Sequence, residues 1–179
     1  DYLTPRYIKI IGETTEYDKK ETLEINRPKS WCKSISAFAN GSGGCLIFGI
    51  SNDGTVVGLD DPQLTSEKFS EIVNSKIDPV PEYNLSFEKK DEKVLMLAYV
   101  EPGNLTPYYY VGDGQQVAYC RSGNESVPAS AMKLRELVLK GTHQSYDSLT
   151  SKYNFTKMLK GILYPLEQCQ SGERIDGRD

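Results

Sequence analysis

The segment Ser36-Ala-Phe-Ala-Asn-Gly-Ser-Gly-Gly-Cys-Leu-Ile-Phe-Gly-Ile50 constrains this chain more than any other. Trp31, Ile35 and Phe38 recur at i, i+4 and i+7, with Cys32 and Ala39 beside them, so residues 28–39 read as an amphipathic helix. Pro28 suits its first turn, and Asn40-Gly41 can close it because both tolerate a left-handed cap. Ser42-Gly43-Gly44 is a tight turn, and Cys45–Ile50 is an apolar run expected to be a buried strand. Asn52-Asp53-Gly54 signals a hairpin, with Thr55–Leu59 as the returning strand. Glycines so placed let the backbone approach something closely, either another strand or a ligand.

The rest of the chain alternates hairpins and helices. Residues 6–11 are β-prone. Leu64–Ile77 reads as a second helix, capped by Thr65 or Ser66 and stopped by Asp78-Pro-Val-Pro81. Tyr83–Lys89 with Lys93–Val100, and Pro107–Val111 with Gln116–Arg121, read as two further hairpins. Ser130–Lys140 is a third helix with Leu134, Leu137 and Val138 inward and Gly141 at its end. Phe155, Leu159, Ile162 and Leu163 mark residues 152–168 as one amphipathic segment. The expected fold is α+β: a small, mostly antiparallel β core flanked by three helices, with a C-terminal helical extension. Residues 1–141 would form the domain, and 142–179 an accessory helix and linker to a missing C-terminal region.

Acids outnumber bases 25 to 21, for a net charge of −4, which excludes an all-over basic nucleic-acid coater but not a local basic face. At 38% hydrophobic and 26% charged residues the 179-residue chain has the profile of a folded domain. Its apolar runs are too short for a membrane span and no secretory leader opens it, so a cytoplasmic location without membrane partners is expected. Cys32, Cys45, Cys120 and Cys169 are far apart without a C-x-x-C, which points to free thiols. The single histidine, His143, disfavours zinc and histidine-based triads. No G-x-x-x-x-G-K-[ST] loop is present, so ATP hydrolysis is not supported.

The cations suited to phosphate contacts are Arg27, Lys29 and Lys33, the last two four residues apart on one helix face. Arg121 sits in a glycine turn beside Tyr119, where the arginine can reach a phosphate and the tyrosine can stack on a base. Tyr108-Tyr-Tyr110 reads as an edge strand with one face buried and Tyr109 or its neighbours outward. Lys133, Arg135 and Lys140 read as solvating the last helix.

Taken together, Ala37-Phe38-Ala39-Asn40, Gly43-Gly44, Phe48-Gly49-Ile50, Asn52-Asp53-Gly54 and Val57-Gly58-Leu59 resemble the ordered motifs of the Schlafen AlbA_2 family. Ile77-Asp78-Pro79 and Tyr119-Cys-Arg-Ser-Gly-Asn124 followed by Pro128-Ala-Ser130 extend the resemblance over about residues 7–140. Gly12-Glu13 matches the family's opening. Its second acid falls on Asp18, or alternatively Glu16, with Lys20 in the lysine place and Lys19 where the family usually has Phe.

The resemblance implies a nucleic-acid-binding N-terminal domain of a bacterial-type transcriptional regulator, with DNA as the first expected partner and RNA the second. Lys20, Arg27, Lys29, Lys33, Tyr119, Arg121 and the amides of Gly43 and Gly44 would make the contacts, with no cofactor required. Two alternatives stay open. One is a Mg- or Mn-dependent nuclease on RNA or single-stranded DNA, with Glu13, Asp18 and Asp53 as catalytic residues and metal ligands. The other is a protein-interaction or homo-oligomerisation module using an exposed β edge and the 152–168 helix.

Overall fold

The computed structural model describes residues 16–143. Glu13, the β-prone segment 6–11 and the amphipathic segment 152–168 lie outside them. The chain divides at Gly141, the first unit running Asp1–Gly141. The described elements are β1 (Tyr17–Lys20), α1 (Lys29–Asn40), β2 (Gly44–Phe48), α2 (Pro62–Lys76), β3 (Ile77–Asp78), β4 (Tyr83–Lys90), β5 (Lys93–Val100), β6 (Tyr109–Gly112), β7 (Gln115–Ser122) and β8 (Glu125–Pro128). A last helix, α3, covers residues 131–143. The strands form two four-stranded sheets, ordered β1-β2-β5-β4 and β3-β6-β7-β8. Only β1 against β2 is parallel among these pairings. The architecture is α+β, as the sequence predicts. No helix among the described residues is long and apolar enough to cross a membrane.

Helix α1 sits between the two sheets. Its apolar side, Trp31, Ile35 and Phe38, joins Leu46, Phe48, Met96 and Ala98 of the first sheet in one core. Trp31 stacks on Phe69 of α2 at 5.2 Å, and Phe48 meets both rings edge-on. Its other side is polar yet buried and faces Tyr108 and Tyr119, where Ser36 and Asn40 bond to the backbone of the second sheet. A helix buried on both sides leaves no room for a solvent face, so all residues from Trp31 to Asn40 except Lys33 are buried.

Several local expectations are corrected. Asn40-Gly41 is not a left-handed cap. Asn40 is helical, Gly41 has φ −106°, and the positive φ falls on Gly43. Asp61, not Thr65 or Ser66, caps α2, accepting from the Leu64 amide at 2.9 Å. Thr55–Leu59 is not a strand. It makes one bridge, Val56 to Ile50, because Gly49 and Gly58 both take positive φ and the Val57 and Gly58 amides converge on the Gly49 carbonyl. Tyr109 is partly outward as expected, but β6 is not an edge, since β3 pairs along it. Gly141 lies inside α3 rather than ending it, where a Cβ would overlap the Thr106 carbonyl. Val138 is exposed rather than inward.

Candidate nucleic-acid interface

Strand alternation puts Glu16, Asp18 and Lys20 on one face at the edge of the first sheet. A polar chain starts there and crosses α1 into the second sheet. Lys20 Nζ lies 3.3 Å from Asp18 Oδ2, and Ser34 Oγ donates to that same oxygen at 2.7 Å. Ser126 Oγ donates to Ser34 Oγ at 3.3 Å, and Arg121 donates to Ser126 Oγ at 3.0 Å and to Glu16 Oε2 at 2.9 Å. The Arg121 guanidinium also lies over the Phe38 ring, 5.3 Å from its centre. Its side chain is only 9% exposed, so this arginine ties β1, α1 and β8 together and does not reach outward for a phosphate. Tyr119 is likewise buried and offers no stacking face.

Gly43 and Gly44 are buried as well. The Gly43 amide donates to the Phe38 carbonyl at 3.0 Å, and Gly44 pairs with Val100 inside the sheet. Their role is close packing. A Cβ on Gly43 would meet the Val100 carbonyl, and one on Gly44 would enter the Phe38 ring. The expected amide contacts to phosphate are therefore corrected.

Three cations remain at the start of α1. Lys29 Nζ reaches Gln115 Oε1 at 3.2 Å and lies 5.9 Å from the centre of the Tyr110 ring. Lys33 is half-buried and Arg27 exposed, and neither forms an ion pair with another described residue. The first turn of α1 carries no acid and no side-chain cap. The positive end of the helix dipole thus adds to these charges instead of being neutralised. Arg27 also lines a depression of about 390 Å³ with Leu23, Glu24, Ile25 and Asn26.

The carboxylates do not gather with them. Asp53 is exposed in the turn after β2, where it accepts from the Ser51 hydroxyl and, at 2.9 Å, from the Thr55 amide. Those bonds, the Ser51 hydroxyl first, hold its carboxyl at about 2. Asp18 pairs in register with Leu46. The turn begins at Ser51, beyond the end of β2 at Phe48. Among the described residues no three histidine, cysteine or acidic side chains form a group able to hold a metal. The described donor set therefore does not fit a shared Mg or Mn ion, and Glu13 lies outside it. Nor do the described thiols join such a group. Burial pushes Cys32 up and Cys45 to about 12, and all three described cysteines are free.

The folded-state value of Asp53 lies below its ordinary one, so its contribution is in place above about pH 4 and is lost as pH falls through about 2. Asp53→Asn should accordingly flatten the acid limb of a pH-stability curve below pH 4, measured by urea unfolding.

A model of the Schlafen, AlbA_2 family matches residues 13–130. The chain belongs to this family. Comparison with curated proteins returns no match. Among solved structures, the N-terminal domain of a RecG-related protein from Nitrosomonas europaea is 22% identical at a TM-score of 0.47, with 70% of this chain and 90% of that one covered. The DIP2311 protein of Corynebacterium diphtheriae is 18% identical at a TM-score of 0.53 and shares the fold. The match covers 69% of this chain but 27% of that protein.

In this AlbA_2 domain, sequence reasoning missed Ser34 and Ser126. Both are buried hydroxyls that relay between Asp18 and Arg121. Only the i, i+2 spacing of Ser34 and Ser36 beside a large apolar stripe could have hinted that α1 has a second packed side.

Proposed function

We propose that this AlbA_2 domain binds nucleic acid, DNA first, as the N-terminal part of a bacterial-type transcriptional regulator. The observation that carries the reading is the cationic ridge of Arg27, Lys29 and Lys33 at an α1 N-terminus free of acids in its first turn. Three cations beside a helix N-terminus favour phosphate oxygens over base edges, so the contact is electrostatic and sensitive to salt. Tyr108, Tyr110 and Tyr119 are buried, so base stacking on them contributes nothing to this surface. Family membership supports a nucleic-acid partner, and the choice of DNA rests on what bacterial relatives of this kind are taken to do.

Fluorescence anisotropy with duplex DNA, single-stranded DNA and structured RNA, each over a salt series, tests the reading. Arg121→Ala serves as the contrast. It should lower the melting temperature, because Glu16, Ser126 and Phe38 lose their common partner. Its salt dependence of binding should match the wild type. A selective loss of affinity in folded Arg121→Ala would return this residue to the interface. Adding Mg²⁺ or Mn²⁺ to the same samples reads out cleavage. Metal-dependent cleavage abolished by Asp53→Ala would replace binding with the nuclease reading.

A further inference from the structure

Ile25, Val57 and Leu64 are 49%, 41% and 49% exposed, and all three line one groove. It holds about 280 Å³ between the β1–α1 loop, residues 57–61 and the first turn of α2. That volume is near the ~300 Å³ at which small-molecule clefts begin. Large apolar side chains scattered singly need no explanation, but three lining one concavity mark a binding surface. Leu23 and Leu59 also line the groove and pack against the core, so its floor is fixed. Its walls are tied as well. Trp31 Nε1 donates to the Glu24 carbonyl at 3.2 Å, and the Val57 and Gly58 amides donate to the Gly49 carbonyl at 2.8 and 2.9 Å. A groove held in this way is formed before a ligand arrives, which lowers the ordering cost of binding.

The polar groups around the groove indicate what enters it. Asp60 and Asp61 line it. Asp61 commits one oxygen to the Leu64 amide at 2.9 Å. Asp60 is exposed and makes no hydrogen bond or ion pair with another described residue, so both of its oxygens are free to accept. The groove adjoins the depression lined by Arg27, because Leu23 and Ile25 line both. Acids thus line the groove, and a cation of the α1 ridge lines the hollow beside it. A nucleotide has the matching polarity, with N–H donors on the base and negative charge on the phosphate. A carboxylate only accepts, so Asp60 selects a base edge made of donors. Guanine is the DNA base with two adjacent N–H donors on one edge, at N1 and N2, and they match the two oxygens of one carboxylate. In a base pair that edge faces the partner base, so only an unpaired guanine presents it.

We infer that this groove takes an unpaired guanine from a strand held by the α1 ridge. The base lies between the apolar walls, its N1–H and N2–H donate to Asp60, and its phosphate lies at Arg27. This rests on the nucleic-acid reading and adds what the ridge does not read, the base itself. Fluorescence anisotropy on the full 179-residue chain tests it, with labelled oligo(dT) carrying one central dG, deoxyinosine or dA. The dG strand should bind about tenfold tighter than the dA strand, with deoxyinosine, which lacks the N2 amine, between them. Asp60→Asn should erase the preference, because the amide turns an N–H toward one of the two donors. Asp60 supports no other described group, so this variant should fold as the wild type does. In amide NMR spectra, 5′-GMP should shift Leu23, Ile25 and residues 57–64. Equal, salt-sensitive affinity for the three strands would overturn the groove site and leave the ridge standing. No binding to any strand would overturn both. A dG preference that survives Asp60→Asn would overturn the assignment to this groove. The same amides responding to a lysine-flanked leucine peptide and not to 5′-GMP would give the groove to a protein partner instead.

Discussion

Asn40→Leu is expected to destabilise the domain by about 4 kcal/mol, as a buried amide hub is replaced by a side chain that satisfies none of its partners. Asn40 Nδ2 donates to the carbonyls of Tyr108 and Tyr119, both at 2.9 Å, and Asn40 Oδ1 accepts from the Tyr108 amide at 2.7 Å. These groups belong to the second sheet and its approach, whereas Asn40 belongs to α1. One side chain therefore fastens the central helix to two segments of the chain. Leucine has the same branched shape and is no smaller, so the loss comes from unsatisfied buried polar groups and not from a cavity. Asn40→Asp keeps the acceptor but loses the donor, and it should also destabilise strongly. Urea denaturation of both variants measures this. A cost below about 1 kcal/mol for leucine would mean that the two carbonyls find other partners and that the amide is not the fastening.

Gly44→Ala is the second large effect, with an expected cost of about 3 kcal/mol. The added methyl would lie within the Phe38 ring, and Phe38 is fully buried between the sheet and the Arg121 guanidinium. The ring cannot retreat without disturbing Arg121 and the polar chain beyond it. Phe38→Leu alone is also expected to destabilise, but it makes room for the methyl. The double variant should therefore be less destabilised than the sum of the two singles, by about 1 kcal/mol or more. Strict additivity in thermal melts would show that the methyl is accommodated elsewhere.

These two positions belong to the string by which the sequence resembles its family, and they show what that string does. Ala37-Phe38-Ala39-Asn40 and Gly43-Gly44 assemble a helix, a turn and a strand so closely that side chains at the glycines are excluded. The β4–β5 and β6–β7 hairpins, the helices and the inward Trp31, Ile35 and Phe38 were legible because hydrophobic periodicity reports one apolar face directly. The buried polar side of α1 was not. Ser34, Ser36 and Asn40 carry no hydrophobic signal, and their partners are mostly backbone groups of strands more than 65 residues away.

The same blindness to distant partners misplaced the site. Arg121 beside two turn residues reads as a free cation, and only the fold brings Glu16, Ser126 and Phe38 to it. Gly43 and Gly44 read equally well as a ligand cradle or as packing, and the contacts of their missing Cβ atoms decide for packing. Lys29 and Lys33, by contrast, were legible as a pair, because four residues along one helix keep two side chains on one side whatever the tertiary structure does. The acidic total likewise says little about the ridge, since charge is felt locally within a Debye length of about 10 Å at 0.1 M salt.

The central claim is that the α1 ridge meets phosphates, and the salt dependence of duplex DNA binding tests it most directly. Arg27→Ala, Lys29→Ala and Lys33→Ala should be combined in one chain and compared with the wild type in log affinity against log salt. Each phosphate contact contributes about 0.9 to that slope, so loss of two to three contacts should flatten it by about 2 and weaken binding at least tenfold at low salt. A folded triple variant with the wild-type slope and affinity would contradict the account.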